Sequence, residues 1–177
     1  TQFWGYVLGA RSGMFSKQET LDALGSIAAG LDIRRGRDWR SVEDTTFDPV
    51  FAARKAKPFA TQSRGEDYYN ESALIWLDAD MTIRQLSKGK KSLDDFAKAF
   101  FGGRDGDWGV RTYDFAEVAA TLNAVQPYDW TKFLDDRFRK AGQPVPLGGI
   151  EKGGYKLVWK AEPNAFDKEQ MRENKNA

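Results

Sequence analysis

The sequence predicts a mainly α fold, a helical bundle, with a small β-strand or hairpin near the C-terminus. Three observations carry this reading. Apolar residues recur at helical spacing through most of the chain, capping patterns precede several of those stripes, and a period-two alternation appears once, around residue 155. With 177 residues, 41% of them hydrophobic and 14% aromatic, the chain has material for one sizeable core.

The first helix carries Phe3, Trp4, Val7 and Leu8 and ends at Gly13. Ser16 and Glu19 then form a Ser-x-x-Glu capping box, in which each residue's side chain pairs with the other's backbone N–H. It opens a helix with Leu21, Leu24, Ile27, Ala28 and Leu31 on one stripe. From Asp32 to Asp67 the periodicity fades into Gly, Pro, Arg and Asp, including Arg34, Arg35 and Arg37. This predicts a long loop with one short helical turn near 50–56, and loops of that length are often functional.

The strongest helix is expected from Tyr69 to Leu86, apolar nearly all round at Ala73 to Leu77 and therefore central to the core. Asp80 and Arg84 stand four apart in the favourable order for an ion pair, on its less apolar face. Gly89 ends it. Ser92 with Asp95 opens a helix carrying Phe96, Phe100 and Phe101, Asp114 caps one ending at Pro127, and Asp129 caps the last, which stops by Gly142. Tyr155, Leu157 and Trp159 then alternate with lysines in two places, in the manner of a strand. The chain thus divides into a helical domain over 1–142, a strand or hairpin appendage over 143–161, and a polar linker or tail over 162–177.

Charge and composition exclude several functions. Twenty-seven basic residues against 26 acidic leave a formal net charge of +1, so no overall field favours nucleic acid or an anionic membrane. No apolar run approaches the roughly 20 residues that would span a bilayer. The chain contains no histidine and no cysteine, so by itself it cannot build a histidine or cysteine site, a disulfide or a thiolate metal centre. The compartment stays open between bacterial cytoplasm and periplasm. Thr1 enters an amphipathic pattern at once, which reads as a cut inside a larger protein.

Among the motifs, Asp105-Gly106-Asp107 reads as an ordinary turn. Asp78 and Asp80 are two apart on a helix, about 200° round its axis, and cannot share a proton. Ser87-Lys88-Gly89-Lys90 matches Ser-x-x-Lys but falls where a helix ends, although its chemistry requires a helix start. Tyr68-Tyr69 opens the most buried helix, either as an aromatic anchor at the helix entry or as a phenol directed into a cleft.

The stretch from Tyr69-Asn70-Glu71-Ser72-Ala73-Leu74 to Asp78-Ala79-Asp80, followed by Gly89-Lys90-Lys91-Ser92-Leu93-Asp94-Asp95-Phe96, resembles the glycyl aminopeptidase family of gluzincin metallopeptidases. The similarity extends to Thr1-Gln2-Phe3-Trp4 through Arg11-Ser12-Gly13, to Pro127-Tyr128-Asp129-Trp130 and to Gly153-Gly154-Tyr155-Lys156-Leu157. In that family a His-Glu-x-x-His helix and a later Glu hold zinc, and the Glu precedes a Gly-x-Thr stretch whose threonine Thr1 is similar to. The resemblance implies the helical C-terminal part of a thermolysin-like catalytic domain, inactive alone, with zinc and its ligands upstream in the full-length parent. That parent would be a zinc metallo-aminopeptidase. It implies a peptide substrate and the remainder of the catalytic domain as partners, with 162–177 leading to a PDZ-type module. It also implies that Tyr69 stabilises the oxyanion of the tetrahedral intermediate, with Tyr68 as the competitor for that role. Related gluzincins carry Tyr-x-Lys-Gly where this chain has Glu71 and Ser72 in place of Lys and Gly. Arg34 to Arg40 would border the cleft. Two readings from other classes stand beside it: a non-catalytic α-helical interaction or peptide-binding module, and a hydrolase working with carboxylates alone.

Overall fold

The helix whose residues Ala73 to Leu77 are apolar nearly all round lies at the centre of the molecule, with an apolar cluster on either side of it. The structure, a computed structural model, describes residues 1–51, 59–103 and 105–176. Its elements are α1 (Gln2–Arg11), α2 (Lys17–Asp32), a 3-10 turn (Arg35–Asp38), α3 (Val42–Thr45), α4 (Asp48–Phe51) and α5 (Asn70–Leu86). They continue with α6 (Leu93–Phe101), α7 (Phe115–Val125), α8 (Trp130–Phe138), α9 (Gly148–Lys152) and α10 (Ala165–Asn176). The mainly helical class is as the periodicity predicts. No helix among the described residues is long and apolar enough to cross a membrane.

Local capping chemistry sets where the helices begin. Ser16 and Glu19 form the reciprocal box at α2, and Ser92 and Asp95 do the same at α6. Asp114 accepts from the Glu117 N–H at 2.8 Å, and Asp129 from the Lys132 N–H at 2.9 Å. Gly13 and Gly89 take positive φ, 76° and 77°, just after α1 and α5, where a side chain would be strained.

α5 is apolar on both sides and therefore buried on both. Leu74 enters one cluster with Ile27, Ala28 and Leu31 of α2. Ile75, Ala79 and Ile83 enter another with Phe3, Phe96, Leu122, Trp130 and Phe133. Each fully buried Leu or Ile contributes about 1.5–3 kcal/mol, and Leu74, Ile75 and Ile83 are all 0% exposed.

A helix enclosed in this way also buries its polar residues, and each buried carboxylate needs a partner. Asp80 accepts from the Leu93 N–H at 2.7 Å and from Arg84 Nε at 2.8 Å, so the ion pair seen in the sequence also secures the first residue of α6. Asp80 is buried, not on an exposed face. Asp78, 0% exposed, accepts from Arg137 Nη2 of α8 at 2.6 Å and from Lys152 Nζ of α9. α9 sits against the α5 backbone itself. A Cβ on Gly149 would lie 2.6 Å from the Asp78 nitrogen, and one on Gly148 would lie 2.6 Å from Asp78 Oδ1.

Two regions differ from the sequence reading. The expected strand or hairpin is absent among the described residues: 148–152 form α9, and 155–160 have no regular structure. A strand needs a second backbone to pair with. After the Tyr155 N–H bonds the Ile150 carbonyl at 3.1 Å, no ladder follows among the described residues. Only Leu157 of the alternating set packs against a core cluster, while Trp159 is 62% exposed. The polar stretch after Glu162 contains α10, started by Asn164, whose side chain accepts from the Asp167 N–H at 2.8 Å. Asn164 Nδ2 also donates to Ser26 Oγ at 3.0 Å, which docks α10 on α2. In the long segment after Asp32 the expected short turn is α4 at its first residues, and the rest of that expectation, 52–58, lies outside the described residues.

Two measurements check these tethers. Asp78→Ala leaves Arg137 and Lys152 without their buried counter-charge and is expected to cost about 3–5 kcal/mol in urea unfolding, as breaking a buried pair does. A loss under 1 kcal/mol would contradict the tether. Arg11 donates two hydrogen bonds to Asp94, at 2.7 and 2.9 Å, joining α1 to α6. That contact holds the Asp94 carboxyl below its ordinary range. A depressed carboxylate stabilises the fold above its unfolded pKa, and the contribution is lost as pH falls through the folded value. The pair is half-exposed, so Arg11→Met is expected to cost about 1 kcal/mol or less at neutral pH. Wild type and variant should converge at acid pH, read from paired denaturation curves.

Candidate functional site

The segment from Asp32 to Asp67 has no apolar stripe with which to find the core, and it folds on charge instead. Arg37, Arg40 and Arg64 are 8%, 9% and 4% exposed, and Asp48, Asp67 and Glu71 are 1%, 5% and 3% exposed. Arg40 Nη2 donates to Asp48 Oδ1 at 2.6 Å. Arg64 Nε donates to Asp67 Oδ2 at 3.0 Å, and Asp67 also pairs with the half-exposed Arg34 at 3.3 Å. The two central arginines bind each other's backbone, Arg40 Nη1 to the Arg64 carbonyl at 2.8 Å and Arg64 Nη1 to the Arg40 carbonyl at 2.7 Å.

Glu71 closes this network from the first turn of α5. Its Oε2 accepts from Arg37 Nη2 at 2.7 Å and from Arg64 Nη2. Burial pushes its carboxyl above the ordinary range, and the two guanidiniums oppose that shift. Burying ions is costly unless opposite charges are paired, and here three guanidiniums face three carboxylates at the centre, although the buried Arg37 Nε makes no hydrogen bond. The two chain segments meet at backbone distance. A Cβ on Gly36 would lie 2.5 Å from the Ser63 carbonyl oxygen, and the Arg35 N–H bonds the Thr61 carbonyl at 2.7 Å.

Against this base the two tyrosines take different places. Tyr69 is the N-cap of α5 but already has helical angles, φ −74° and ψ −60°. Residues two apart on a helix point about 200° from each other. Glu71 faces the arginines inside, and Tyr69 faces out, 51% exposed. Tyr68 is half-buried against the larger apolar cluster, and its ring lies 4.5 Å from that of Tyr69 at 39°. The phenol expected to act is thus presented to solvent beside an anchored ring. The same stretch of chain exposes Trp39, Phe47 and Phe59.

Of the arginine run expected to border a cleft, Arg37 and Arg40 turn inward as struts, while Arg34 and Arg35 stay at the surface paired with Asp67 and Asp38. The sequence reading missed Glu71 as their counter-charge. The available signal was an acid in the first turn of a helix otherwise set for burial. Ser87 closes the end of α5, its Oγ accepting from the Lys91 N–H at 3.0 Å. Asp107 caps a turn through the Gly109 N–H, also at 3.0 Å, with Gly106 at positive φ.

Among the described residues no three His, Cys, Asp or Glu side chains converge as a metal site. The described residues therefore do not fit a zinc ion, and no chemistry is derived through one. A separate cleft of about 740 Å³ lies between α2, α5, α9 and 155–164, lined by Leu21, Leu24, Leu77, Ile150 and Leu157 with Asp22 and Asp167 also contributing.

No curated protein matches the chain. The family model described as M61 glycyl aminopeptidase matches residues 1–75, from α1 through the charged segment into α5, a span that includes Tyr68, Tyr69 and Glu71. Over that span the chain is similar to the M61 glycyl aminopeptidases, the family its sequence resembles.

Proposed function

We propose that this chain is the helical part of the catalytic region of a zinc-dependent aminopeptidase of the glycyl aminopeptidase type, forming one wall of the substrate cleft. The observation that carries the reading is Tyr69, a half-exposed phenol at the start of α5 within the span that matches the peptidase family. In this reading the metal is held by residues outside this sequence, and the chain alone is inactive. Its partners are the peptide substrate and the remainder of the catalytic domain, and a PDZ-type module follows.

The chemistry assigned to this chain is a hydrogen bond. As a nucleophile adds to the scissile carbonyl, negative charge grows on the carbonyl oxygen. A fixed phenol O–H donates more strongly to that oxygen than to the neutral ground state, and so lowers the barrier. Aminopeptidase action also requires that the substrate's N-terminus be positioned. No residue of this chain is assigned that task.

A second reading, a non-catalytic α-helical peptide-binding module, has one observation in its favour, the apolar cleft between α2, α5 and α9. Its volume lies in the range that binds small ligands.

The measurement that separates them is steady-state peptide hydrolysis by the intact protein. Tyr69→Phe removes one oxyanion donor and is expected to lower kcat by about 10²-fold with KM little changed. If Tyr68→Phe is instead the damaging change, the role passes to Tyr68. A near-normal kcat in both variants sinks the catalytic reading.

A further inference from the structure

We infer that Glu71, clasped by Arg37 and Arg64, is a positioning residue that sets the direction of Tyr69, and this inference rests on the catalytic reading above.

Three observations carry it. First, Glu71 and Tyr69 belong to the same turn, because the Tyr69 backbone already has helical angles and the Glu71 N–H bonds the Asp67 carbonyl at 2.8 Å. Side chains two apart on such a turn diverge by about 200°. Whatever fixes one of them inward therefore fixes the other outward. Second, Glu71 is held inward from two separate places in the chain. Arg37 reaches it across 34 residues and Arg64 across seven. Two donors on one carboxylate oxygen restrict rotation of the helix start about its axis, which a single contact would leave freer. Third, within α5 itself Glu71 is the first residue held by an ion pair, while just before the helix Asp67 pairs with Arg64 and Arg34 and Tyr68 packs on the larger apolar cluster. Tyr69 makes no side-chain cap bond to the helix, and the apolar residues that seat α5 begin at Ala73. The Tyr68 ring supports one flank of Tyr69 only.

The network also fixes the charge required at position 71. A lysine there would face Arg37 and Arg64 with like charge. Here the acid and the two arginines form one unit, and the phenol they aim is its exposed end. A catalytic hydrogen-bond donor must hold its place to within about 0.5 Å to keep its effect, and this is the tolerance the clasp would supply.

The test is a double-mutant cycle in the intact protein on the rate of peptide hydrolysis. Glu71→Gln keeps the shape and loses the charge. Arg37→Gln removes one of the two donors from the far end and leaves Arg64 in place. Each is expected to lower kcat at least about tenfold with KM within about twofold, since transition-state contact is lost and substrate binding is not. In a Tyr69→Phe background neither should lower kcat further, because no phenol remains to be aimed. A purely structural role would not produce that loss of effect. Glu71→Asp, which restores the charge, should recover part of kcat. If Tyr69→Phe lowers kcat but Glu71→Gln and Arg37→Gln lower it by the same factor with and without the phenol, the inference fails and the role of Tyr69 stands. Unchanged kcat in both variants also overturns it. If Tyr69→Phe has no effect, the catalytic reading falls and this inference with it. If neither variant folds, as judged by circular dichroism, the network serves stability alone and the positioning role is rejected.

Discussion

Enclosing α5 on both sides is the constraint from which most of the structure follows. A helix with Leu74, Ile75 and Ile83 fully buried cannot leave Glu71, Asp78 and Asp80 in water. Each acid must find a donor from another part of the chain, and the donors are different in each case. Glu71 takes the arginines of the charged segment, Asp78 takes α8 and α9, and Asp80 takes the first turn of α6. The apolar clusters supply the larger share of the driving force, being non-directional and proportional to area. The carboxylates supply address: they decide which element lies over which turn of the central helix.

The exposed face that carries Tyr69 is one outcome of that arrangement. The segment after Asp32 contributes little apolar surface to the core, yet it is held close to α5 by its arginines. Turning its charges inward leaves its aromatic residues outward, with Trp39, Phe47 and Phe59 exposed along with Tyr69. This inverts the usual sorting of polar and apolar residues, and the inversion is most pronounced in the span that matches a peptidase family.

What was legible in the sequence was what a few neighbouring residues decide. Ser16 with Glu19, Ser92 with Asp95, and the caps Asp114 and Asp129 are contacts within one turn, and all four stand where the sequence places them. The centrality of α5 was legible as well, since burial on both sides leaves a helix without a polar face. What escaped depends on residues far apart. Nothing near Glu71 announces Arg37, and nothing near Asp78 announces Lys152. The alternation of Tyr155, Leu157 and Trp159 is a sound strand pattern, but pattern does not provide the neighbouring strand that a ladder requires. α9 was hidden by its two glycines, poor helix formers that are present because a backbone must pass there. α10 was hidden by its polarity, although Asn164 with Asp167 is a recognisable cap.

The attachment of Asp78 has a consequence for how the chain reaches this state. Its partners, Arg137 and Lys152, lie 59 and 74 residues downstream. During synthesis the central helix leaves the ribosome well before either of them, so for that interval it carries a carboxylate that belongs in the interior and has no counter-charge to take there. Burying α5 at Asp78 before those elements arrive would leave an unpaired charge in the interior, which carries a large desolvation cost.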